Sequence, residues 1–119
     1  MFRDIFKKFK GLKTKVVLRN QRDEYGLRYL DATLNENGDI VIEGQDLGKG
    51  VEEAFSSSEY EWTWTIKSNH IHLLKKALGG TNDILDALEK EYSGLNASKL
   101  YEFLENNKIP IESYSRIGD

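Results

Sequence analysis

Alternation of apolar and polar side chains is clearest at residues 60–67, where Tyr60, Trp62, Trp64 and Ile66 fall on one parity and Glu61, Thr63, Thr65 and Lys67 on the other. A period of two is that of a β-strand with one covered face, so this segment is read as a strand whose aromatic side joins the core. The same alternation places Leu30, Ala32 and Leu34 on one side of a strand with Asp31 and Thr33 on the other. Asn37-Gly38 then supplies positive φ angles that turn the chain into Ile40–Glu43, which predicts a β-hairpin. Lys15–Arg19 is rich in β-branched residues and predicts a shorter strand, followed by a polar turn over Asn20–Glu24. Gln45–Gly50 reads as a glycine-punctuated loop leading to a single helical turn over Val51–Phe55.

Past residue 67 the period changes. Ile71, Leu74 and Leu78 recur at helical spacing between a Ser68 or Asn69 cap and the stop at Gly79-Gly80. Ile84, Leu85, Leu88 and Tyr92 define a second helix capped by Asn82, and Leu100, Phe103 and Leu104 a third that starts near Asn96 and ends before Pro110. Ile109–Ser115 is a candidate final strand. At the other end, Phe2, Ile5, Phe6 and Phe9 share one face of a short helix whose remaining positions are mostly lysines, and Gly11 ends it.

These elements predict one α+β domain over residues 1–119, with an antiparallel sheet of four or five strands, C-terminal helices packed on one face and a short N-terminal amphipathic helix. The expected order is the basic helix at 1–12, mainly strands at 15–67, helices at 69–107 and a final strand at 109–115. A chain of 119 residues fits a single domain of this kind.

Composition narrows the chemistry. Without cysteine there is neither a disulfide framework nor a thiolate metal site, and no apolar run approaches the length of a spanning helix, so a cytoplasmic location is expected. The net charge of -3 conceals a division, because Arg3, Lys7, Lys8, Lys10, Lys13 and Lys15 face only Asp4 within residues 1–15. That segment carries +5 and the rest of the chain -8. From Asp31 to Glu61 the acidic residues are opposed only by Lys49, which penalises nucleic-acid binding there.

No pattern of catalytic residues emerges, and no cofactor is expected. His70 and His72 begin a helix, where an i, i+2 spacing turns the rings about 200° apart, so two surface histidines are expected and no metal site. Asp83, Asp86 and Glu89 line one helical face that could hold a divalent cation but is read as solvated charge, and Asp83 and Asp86 lie near a helix N-terminus where negative charge is favourable. The glycines of EGQDLGKG lack the Lys-Ser/Thr pair of a phosphate loop. The basic N-terminal helix has three places to dock: the acidic body of the domain, a partner, or an anionic membrane surface through residues 1–12.

The segments LDATLNENGDIVIEGQDLG (residues 30–48), YEWTWTI (60–66) and FLENNKIPIESY (103–114) together resemble a group of small bacterial proteins that share an LDATL…GD-[IL]-V-I-E-GQDLG core. Some of that group are read as immunity proteins of toxin systems. The resemblance implies a non-enzymatic binding protein, and the acidic stretch supplies a physical counterpart, since a complementary patch speeds and selects association with a basic toxin domain. The expected partner-binding residues are Glu43, Asp46, Glu52, Glu53, Glu59 and Glu61. The rival expectation is a membrane-peripheral or regulatory adaptor that uses the N-terminal helix. Partner identity, oligomeric state and strand order are not encoded in any recognisable motif.

Overall fold

The computed structural model describes residues 14–49 and 59–118. The expected helix at 1–12, the turn at 51–55, and Glu52 and Glu53 fall outside these residues. Five antiparallel strands form one sheet in strictly sequential order: β1 (Lys15–Asp23), β2 (Gly26–Leu34), β3 (Ile40–Leu47), β4 (Glu59–Ile66) and β5 (Glu112–Gly118). Between β4 and β5 the chain makes a 3-10 turn (Ser68–His70), α1 (Ile71–Ala77), α2 (Ile84–Tyr92), a second 3-10 segment (Gly94–Lys99) and α3 (Leu100–Asn106). This is the α+β arrangement the periodicities predict.

Register explains the two faces. Leu30, Gly44 and Trp62 stand opposite one another across β2, β3 and β4, as do Ala32, Ile42 and Trp64. Side chains directly opposite share a face, so Leu30, Ala32, Ile40, Ile42, Trp62, Trp64 and Ile66 all look toward the helices. Ile40, Ile42 and Ile66 are at most 1% exposed, as are Leu74, Leu88, Leu100 and Leu104 from the helical layer. Leu85 and Leu88 on α2 and Ala97 in the second 3-10 segment belong to the same cluster, as their helical spacing requires. Val16 and Leu18 turn inward by ordinary alternation, and a bulge between Val17 and Arg19 then shifts the parity of β1 so that Arg19 stands opposite Leu30 on the helix side.

Several boundaries differ from those the sequence predicts. β1 continues through Asn20–Asp23, read above as a turn, because Asn20, Gln21, Arg22 and Asp23 pair in register with Tyr29, Arg28, Leu27 and Gly26. Backbone pairing does not require apolar side chains, and these residues are exposed. β3 likewise runs through Gln45 and Asp46, expected to be loop. The hairpin between β2 and β3 is as expected, but only Gly38 (φ 88) has positive φ, following a turn closed by its N–H on the Asn35 carbonyl. α2 is capped by Asp83, whose carboxylate accepts from the Asp86 N–H at 3.0 Å, and not by Asn82. The 3-10 turn before α1 has no side-chain cap from Ser68 or Asn69. β5 begins at Glu112, three residues beyond the predicted start, after Ile109 has entered the core and Pro110, which has no N–H to donate, has passed.

Candidate functional site

β2, β3 and β4 present their alternate residues on the face away from the helices. There the register sets Asp31 opposite Glu43 and Gln45 opposite Glu61, with Leu47 opposite Glu59. Glu43, Glu59 and Glu61 therefore share the outer face with Asp31, and Glu112 joins them from β5. Three of the predicted partner-binding residues are thus brought together.

The carboxylates are held in place rather than left free. Arg116 on β5 lies 3.4 Å from Glu59 and 3.8 Å from Glu61, and the Gln45 amide donates to Glu61 at 3.2 Å. Glu43 is exposed. Asp31 is 4% exposed, accepts from the Tyr29 hydroxyl at 2.8 Å and lies 3.4 Å from Lys15 Nζ, while its Oδ1 is buried with no hydrogen-bond partner. The Asp31 charge is the main cause that holds the Lys15 ammonium above its usual value, and burial followed by the Asp31 hydrogen bond does the same for the Tyr29 hydroxyl. This corner joins β1 to β2 with a neutralised charge.

Asp46 departs from the predicted set. It lies three residues from Glu43 on an unbroken strand, so its side chain points to the opposite face. There it stands opposite Arg28, and desolvation pushes its carboxyl up while Arg28 and Arg19 pull it down. Together these three residues line a cleft of about 400 Å³ that also includes Trp62, Trp64, Ala97 and Ser98. Sequence reasoning missed Arg19, Arg28 and Ser98.

Trp62 and Trp64, which line the cleft, belong to a longer aromatic ladder. Ring centroids are 5.3 Å apart for Tyr60–Trp62, 6.3 Å for Trp62–Trp64 and 5.1 Å for Trp64–Tyr101, the last residue reaching over from α3. Trp62 can lie across β3 because position 44 is glycine, where any Cβ would overlap its benzo ring. The tryptophans pack against the core, as predicted, yet remain partly exposed. The indole Nε1 of Trp62 is buried without a hydrogen-bond partner.

Among the described residues no group of His, Asp and Glu is placed to hold a metal ion. His72 is exposed, and His70 is partly exposed with its Nδ1 enclosed and without a hydrogen-bond partner. Asp83 serves as the helix cap already described. Among the described residues no helix is long and apolar enough to cross a membrane. Comparison with protein-family models, curated proteins and solved structures found no match to this chain.

Proposed function

We propose that this chain is a non-enzymatic binding protein of the immunity type, which holds a basic toxin domain against the outer face of its sheet. The observation that carries the reading is the convergence of Glu43, Glu59 and Glu61 on one face, where Lys15 offsets the buried Asp31 and Arg116 meets Glu59 and Glu61. The LDATL…GDIVIEGQDLG resemblance points the same way. Asp46 leaves the interface, since it faces the opposite side.

A preformed acidic surface on a rigid sheet would act mainly on association, by raising the encounter rate with a positively charged partner. Arg116 limits the free charge while fixing the orientation of Glu59 and Glu61. The partner is sought as a toxin encoded beside this gene, and its binding is measured by surface plasmon resonance across a salt series. Replacing Glu43, Glu59 and Glu61 together with lysine should slow association by about tenfold or more at low ionic strength, with the difference shrinking as salt screens the field. Toxin neutralisation by the triple variant equal to that of the native protein would overturn the assignment.

A further inference from the structure

We propose that the cleft on the helix side of the sheet is a binding site for a mononucleotide bearing an amino-substituted base. This site is independent of the acidic outer face and lies on the other side of β3.

The cleft offers three chemistries in one place. Trp62 and Trp64 line the cleft and are partly open to solvent, so they offer aromatic surface against which a planar base can stack. Arg28 is exposed, and Arg19 is steadied by Gln21, whose amide oxygen accepts from its Nε at 3.3 Å and Nη2 at 2.9 Å. Two planar cationic groups in one cleft suit an oxygen anion such as a phosphate. Asp46 supplies an acceptor in the same cleft, which suits an exocyclic amino group and disfavours a ligand that is only an anion.

The dimensions agree. A volume of about 400 Å³ lies in the range of small-molecule sites and is too small for a folded partner. Asp46 is partly buried in the wall of the cleft, where a donor from a ligand would pair with its carboxylate. Gly44 makes room for Trp62, since any side chain there would push its ring out of the sheet surface.

The test uses the full chain with AMP, adenosine and ribose 5-phosphate as probes. Binding is followed by quenching of tryptophan fluorescence, excited at the red edge of its absorption, and by the NMR shift of the Trp62 indole N–H. AMP should give a saturable response, with adenosine and ribose 5-phosphate each weaker by about tenfold, because each lacks one of the two anchors. Arg28→Ala and Arg19→Ala, both near the surface, should fold normally and each weaken AMP by about tenfold while leaving adenosine unchanged. The proposal is overturned if AMP gives no saturable response at about 10 mM, if ribose 5-phosphate binds as well as AMP, or if neither arginine variant alters the AMP curve.

Discussion

Along β3, neighbouring side chains enter different environments. Ile40 and Ile42 are almost wholly enclosed by the helical layer, whereas Val41 is partly exposed and Glu43 is open to solvent. The contrast shows that burial and charge are separated here by parity and not by sequence distance. The helix side is itself divided, because Ile40 and Ile42 lie in the apolar core, whereas Asp46 lines a cleft with an arginine pair and two partly exposed tryptophans.

Truncation of adjacent residues should break this contrast most sharply. Ile42→Ala should cost about 2–5 kcal/mol in chemical denaturation, and Val41→Ala about 1 kcal/mol or less, because only the first leaves a cavity. Equal losses at the two positions would mean that the outer face is packed as tightly as the inner one. Gly44→Ala comes next, at about 1–3 kcal/mol, since the added methyl must displace the Trp62 ring. Near-ultraviolet circular dichroism should register the displaced indole, and an unchanged spectrum with undiminished stability would show that the ring does not need the glycine.

The smallest of these effects is expected at the β2–β3 turn and depends on pH. Asp39 is 4% exposed, its Oδ2 accepts from Lys67 Nζ at 2.8 Å and its Oδ1 from the Ser68 N–H at 2.8 Å. The Lys67 hydrogen bond, more than any other cause, holds the Asp39 carboxyl below its ordinary 3.8, and the same bond raises the Lys67 ammonium above 10.5. The carboxylate therefore contributes stability fully above its unfolded value and loses it as the pH falls through the lower folded value. The lysine contributes fully below 10.5 and loses its share as the pH rises through its higher folded value. Asp39→Asn should lower Tm near neutral pH, with the gap to the native protein closing in acid below about pH 4 and narrowing again in strong alkali. A pH-independent gap would assign the role of Asp39 to shape and not charge.

The parts of this architecture written in local patterns were legible from the sequence. Tyr60–Ile66 alternates without interruption, and the three helices show their apolar spacing, so the sheet with helices on one side follows from the chain alone. Asp46 was misplaced because Gly44 resembles the start of a loop. Counted along a continuous strand, Asp46 and Glu43 differ in parity and must separate, but the continuity depends on pairing with Trp62 on another strand. Arg19 and Arg28 carry no local signal, since they meet Asp46 only through the register of β1, β2 and β3. Glu43, Glu59 and Glu61 share a face because the register of β3 with β4 keeps them alike in parity.

Because the strands are laid down in order, with the covering helices inserted before the last one, the ribosome delivers four of the five strands before the lid. Ile40, Ile42 and Ile66 emerge early, and their cover is completed only when Leu100 and Leu104 have followed Leu74 and Leu88 out of the exit tunnel. Nascent chains halted near residue 70 should accordingly be strong clients of holding chaperones. Release should come only after the third helix has been synthesised.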